Sequence, residues 1–181
     1  MSVQQPQWGH GKEKGWNKRK NNERRNLIYK KLYVIVQPDH FNKEHTENTQ
    51  KAERIIVMDL YGEVLLDAGF TTDSYLYIRR LLSKNVEFIT YDGDLLRHMI
   101  WKFWNWDNIN ILDLQAVFTM VYGKHKGWTD KNGNPLSIWQ PLSAALEYYD
   151  EQDSGVDLAD PLDVITKTMT LHRKMKGDLI L

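Results

Sequence analysis

Two short runs and the turn between them constrain this fold most. Arg54-Ile55-Ile56-Val57-Met58 and Glu63-Val64-Leu65-Leu66-Asp67 are strand-like, and Asp59-Leu60-Tyr61-Gly62 separates them. A turn of that length containing glycine makes the pair an antiparallel hairpin. A further β-branched run, Tyr33 to Val36, precedes it, and a polar loop opening at Pro38 joins the two. After the hairpin the period changes. Tyr75, Ile78, Leu81 and Leu82 share a helical face behind a Thr71-Thr72-Asp73 cap, and Val86 to Tyr91 reads as a strand. Asp92-Gly93-Asp94 opens a helix whose stripe is Leu95, Leu96, Met99, Ile100 and Phe103. Ile109 to Asp113 is a fifth strand, and a helix from Leu114 to Tyr122 stops at Gly123. Trp128 to Pro135 is a loop by its turn residues, and two helices close the chain. A hairpin followed by alternating strands and helices implies an α/β fold, a mixed five-stranded sheet flanked by helices.

The chain has 181 residues and is 41% hydrophobic, which is enough for one domain with a sizeable core. It has no cysteine, which excludes a disulfide framework and a Cys-based zinc site. The start, MSVQQPQWGHGKEK, has no apolar h-region, and no apolar run approaches the roughly 18 residues that span a bilayer. A cytoplasmic protein without membrane contact is the expectation.

A net charge of zero hides a segregation. Residues 1–31 carry nine Lys or Arg against two Glu, a net +7, which leaves −7 on the other 150 residues. Residues 1–26 read as a basic disordered arm and 27–181 as the folded domain. In the arm, Lys12, Lys14, Lys18, Arg19, Lys20, Arg24 and Arg25 suit phosphates, and Trp16 suits a stacked base. The competing reading is a solvated tail that folds back on its own acidic domain. Residues 144–163 hold seven Asp or Glu and no Lys or Arg. Three readings compete there: a metal-binding remnant, a patch for a basic partner, or a dock for the tail. His40 and His45 share a loop with Asp39 and Glu44, a weak ligand pattern. The aromatic run Trp101 to Trp106 reads as core first and as a partner surface second.

Several segments together resemble the DnaQ-type (DEDDh) 3′–5′ exonucleases of the ribonuclease H-like superfamily. The hairpin at 53–67 is similar to that family's first hairpin. Phe88 to Leu96 is similar to its segment at the end of strand four, and Ile111-Leu112-Asp113-Leu114-Gln115 to its next strand end. Leu142, Leu146 and Tyr149, then Ala159, Thr166 and Leu171, are similar to the frame of its last two helices. The resemblance runs from about Leu32 to Met175 and implies a ribonuclease H-like sheet. It also implies two divalent metals held by about four carboxylates, with a His or Tyr to orient the attacking water.

The catalytic letters depart from that pattern. The Asp-x-Glu position holds Gln37-Pro38-Asp39, the next Asp position holds Leu96 (with Asp92 at the preceding Asn), and the His and last Asp positions hold Asp157 and Leu162. Leu96 and Leu162 fit helix stripes as core. The expectation is a catalytically degraded exonuclease-like domain that needs no cofactor. It would bind single-stranded nucleic acid or a nucleic-acid-processing protein, the basic arm contacting the former and the acidic face the latter. Two alternatives stay open. One is an active Mg²⁺- or Mn²⁺-dependent exonuclease with relocated carboxylates, Asp39, Asp92, Asp94 and Asp163; the other is a protein-interaction or inhibitor module without a nucleic-acid role. Against relocation, Asp160-Pro161 reads as a helix cap with Pro at the first helical position, and Asp163 as a first-turn acid.

Overall fold

A computed structural model describes residues 29–38, 53–126, 132–133, 139–149, 151–178 and 181. Five strands form one sheet: β1 (Tyr29–Gln37), β2 (Arg54–Met58), β3 (Val64–Gly69), β4 (Leu82–Thr90) and β5 (Asn110–Asp113). Their order is β3-β2-β1-β4-β5. β2 runs antiparallel to both β1 and β3, whereas β4 is parallel to β1 and to β5. The expected hairpin is therefore present. Gly62 sits at φ +93 in its turn, a conformation that favours glycine, and Asp59 Oδ1 accepts the Tyr61 and Glu63 N–H groups at 2.9 Å each.

The helices are α1 (Thr72–Leu81), α2 (Gly93–Trp104), α3 (Leu114–Lys126), α4 (Leu142–Tyr148) and α5 (Pro161–Gly177). Strand alternation sorts them onto two faces. Tyr33, Ile35, Ile56, Met58 and Ile89 pack under α3, α4 and α5, against Leu114, Phe118, Leu146, Ile165 and Leu171. Leu32, Val34, Ile55, Val57 and Phe88 point the other way, onto Ile78 of α1 and Leu96 and Ile100 of α2. Each face buries a layer of apolar side chains, about 1.5–3 kcal/mol apiece.

Several boundaries differ from expectation. β1 starts four residues before Tyr33, because Tyr29 pairs with Leu82 across a register shift. Leu82 opens β4 instead of closing α1, since that pairing extends the sheet beyond Val86. β3 runs from Val64 to Gly69, and β5 begins at Asn110. α3 runs through Gly123 to Lys126; one glycine costs a helix only about 1 kcal/mol. Leu162 is 43% exposed, not core. The face of α5 turned to the sheet is Pro161, Ile165, Thr168, Leu171, His172 and Met175, and Leu162 lies about 100° away from it. In the aromatic run, Trp104 and Trp106 are half-buried against Phe70, Tyr75 and Phe88, but Trp101 is exposed. Among the described residues no helix is long and apolar enough to cross a membrane.

On the α5 face, Tyr33 Oη and His172 Nδ1 lie 2.7 Å apart in the core. Burial, and then the nearby Lys176, Lys31 and Arg173 charges, push the His172 pKa down to about 4. The ring is neutral near pH 7, and its tautomer sets which of Nδ1 and the Tyr33 hydroxyl donates to the other.

Candidate functional site at the strand ends

β1 and β4 are parallel neighbours, but the chain leaves their carboxyl ends toward opposite edges of the sheet: β2 lies on one side, β5 on the other. Such a switch point leaves a crevice beyond the strand ends. A cavity of about 240 Å³ opens there. Gln37, Tyr91, Asp92 and Gln115 supply its polar groups, and Leu95, Leu142, Leu158 and Val164 much of its apolar wall.

Gln37 closes β1 and is only 5% exposed. Its Nε2 donates to the Ala159 carbonyl at 2.8 Å and points at that of Leu158 at 3.5 Å. The side chain thus ties the segment before α5 to the end of the sheet. Only a donor serves here, because a carboxylate would set negative charge against two carbonyl oxygens.

Asp92 follows β4 in the left-handed region, at φ +82. Its Oδ1 caps α2 by accepting the Leu95 N–H at 3.1 Å. Burial raises the Asp92 pKa; the Leu95 N–H opposes this, and the Asp113 and Asp94 charges add to it. Gly93 makes the close approach possible, since a Cβ there would meet the Asp113 carboxylate at 2.8 Å. Asp113 in turn caps α3, accepting the Gln115 and Ala116 N–H groups at 3.0 and 3.3 Å. The Tyr91 hydroxyl and Gln115 Nε2 both donate to the Gln140 carbonyl, at 2.5 and 3.0 Å, which fixes the segment entering α4. Burial raises the Tyr91 pKa, with the Asp113 and Asp92 charges acting the same way, so the hydroxyl stays a donor.

The acidic residues around α5 are committed to local structure. Asp160 caps the helix through the Leu162 N–H at 3.1 Å, with Pro161 in the first turn. Asp157 Oδ1 accepts the Ala159 N–H at 3.0 Å. Asp163 accepts the Asp157 N–H at 2.8 Å and pairs with Lys167 at 3.0 Å. Partial burial would raise the Asp163 pKa, but that N–H and the Lys167 ammonium outweigh it and hold the carboxyl below its usual range. Lys167 also binds the Gly155 carbonyl and lies 3.7 Å from Asp153.

Of the sequence-predicted site residues, Gln37 and Asp92 line the cavity together. Leu96 is fully buried in the layer on the opposite face, and Asp94 and Leu162 are exposed. Asp157 and Asp163 face backbone groups and Lys167. Asp39, His40, His45 and the arm (Lys12, Lys14, Trp16, Lys18, Arg19, Lys20, Arg24, Arg25) lie outside the described residues. Tyr91 and Gln115 were missed as site residues, because two donors converging on one carbonyl 25 and 49 positions away leave no local signature.

The described residues of this set do not fit a pair of hard cations, which take several oxygen ligands each. Gln37 presents its N–H₂ to carbonyls, and the two leucines offer no donor atom. Among the described residues no three Asp, Glu, His or Cys side chains converge. The chain matches no family model, no curated protein and no solved structure.

Proposed function

We propose that this chain is a ribonuclease H-like domain, related in plan to the DnaQ-type exonucleases, that binds single-stranded nucleic acid without metal-dependent cleavage. The strand order β3-β2-β1-β4-β5 with β2 reversed supports the fold reading, because it is the ribonuclease H-like arrangement. The Gln37 amide carries the functional reading. It occupies the place where the family's first carboxylate would stand, and its N–H₂ is spent on the segment before α5. The basic arm supplies the binding half, with seven Lys or Arg in residues 12–25.

The test uses the full chain, a 3′-labelled single strand and Mn²⁺. The strand is retained in a complex and keeps its full length, and deleting residues 1–26 weakens the complex at least tenfold. Metal-dependent shortening of the strand that disappears in Asp39→Ala would establish the active-exonuclease alternative instead.

A further inference from the structure

A second and larger cleft lies at the other end of the sheet, where β4 and β5 begin. It has a volume of about 910 Å³ and runs between the end of α1, the start of β4 and the α2–β5 connection. Its chemistry is unlike that of the strand-end cavity. Arg79 and Lys84 bring positive charge, Asn85, Asn105, Asn108 and Asn110 bring amides, and Trp106 brings an aromatic face. No Asp or Glu is among its described lining residues, although residues 32–181 carry a net −7. The Arg79 guanidinium lies 4.9 Å from the centre of the Trp106 ring, so the cation is held over the aromatic. Arg79, Lys84 and the four asparagines are exposed. The buried Ser83 hydroxyl beside them has no hydrogen-bond partner among the described residues.

The position of the cleft in the fold adds to this. Tyr29, at the start of β1, pairs with Leu82, which lines the cleft. β1 therefore begins beside the cleft, with Lys30 exposed and Lys31 4.0 Å from Glu87 in its first residues. Cationic side chains, amides that both donate and accept, and an aromatic ring are the groups that take phosphate, base edge and base face of an unpaired strand.

We propose that this cleft, at the amino ends of β4 and β5, is the domain's binding groove for single-stranded nucleic acid. This rests on the nucleic-acid reading above and places the contact at the end of the sheet opposite the strand-end cavity. The acidic stretch 144–163 belongs to the α4–α5 side, away from the groove, so a polyanion reaches the groove without crossing it.

The experiment measures anisotropy of a labelled twenty-nucleotide oligothymidylate with the full chain at several salt concentrations. The double variant Arg79→Gln/Lys84→Gln is compared with Lys174→Gln/Lys176→Gln on α5, and melting curves confirm that both are folded. The groove variant binds about tenfold more weakly, and its salt slope falls by about 1.4, as for two lost phosphate contacts at ~0.7 each. The α5 variant binds like the parent. Hydrogen exchange on the parent shows protection of 82–86 and 105–110 when the strand is added, which needs no variant. Binding that is unchanged in the groove variant, with no protection at those segments, overturns the groove and leaves the arm as the contact. No binding by the parent chain overturns both this proposal and the functional reading.

Discussion

Gln37 both closes a strand and, through its amide, holds the segment before α5. Its amide is nearly isosteric with glutamate, so Gln37→Glu changes charge and donor capacity but hardly shape. The carboxylate would lie against the Leu158 and Ala159 carbonyls, which raises its folded-state pKa above the unfolded ~4.3. The protonated acid still donates, so the variant matches the parent at pH values below ~4. As pH rises through the raised folded pKa it loses roughly 2–3 kcal/mol. Denaturant unfolding at a series of pH values measures this. His172 gives the opposite dependence. Its pKa falls from 6.5 to about 4 on folding, so below 6.5 the unfolded chain takes up the proton first. The stability from neutral His172 is complete above 6.5 and drains as pH falls toward 4, by up to about 3 kcal/mol. His172→Gln, which keeps a hydrogen-bond partner for Tyr33, flattens that slope between pH 5 and 6.5 in the same assay. The pairing of Tyr33 with His172 was not legible in the sequence, because 139 positions separate the partners and neither lies in a motif.

At the scale of the element, most of what sequence could state was capping and period. The Thr71 cap of α1 and the Asp160-Pro161 start of α5 follow from residue type alone. What sequence missed were ends fixed by pairing: Leu82 has a helical spacing with Ile78 and Leu81, but its bridge to Tyr29 makes it strand. Leu162 was misplaced for a related reason. Its spacing allowed an apolar stripe, but the start of α5 at Pro161 sets the helix phase and turns it to solvent. Gly93 marks where two elements touch. Gly93→Ala sets a methyl against Asp113 and separates α2 from the end of β5, costing about 1–3 kcal/mol. Adding Asp113→Gly recovers part of that loss, as a double-mutant cycle by chemical denaturation would show. Asp160→Ala removes the α5 cap at a cost of about 1 kcal/mol, read as a lower melting temperature.

For the molecule as a whole, the α/β class and the mixed five-stranded sheet were legible, because the hairpin and the alternating elements leave few ways to bury both faces. The strand-end cavity was half legible. Gln37 and Asp92 follow from where β1 and β4 stop, whereas the Gln140 carbonyl that Tyr91 and Gln115 share is set only by packing. The groove at the amino ends of β4 and β5 was not legible at all, since α1, β4 and the α2–β5 connection meet only in the folded sheet. The proposed function requires a strand-end crevice that does not hold paired cations, and a melting curve of the full chain titrated with Mn²⁺ tests that most directly. A metal that binds only the folded state at a hundred times its Kd stabilises it by about 2.7 kcal/mol. The account predicts a melting temperature unmoved through millimolar Mn²⁺. A rise of several degrees that vanishes in Asp92→Asn or Asp163→Asn would contradict it.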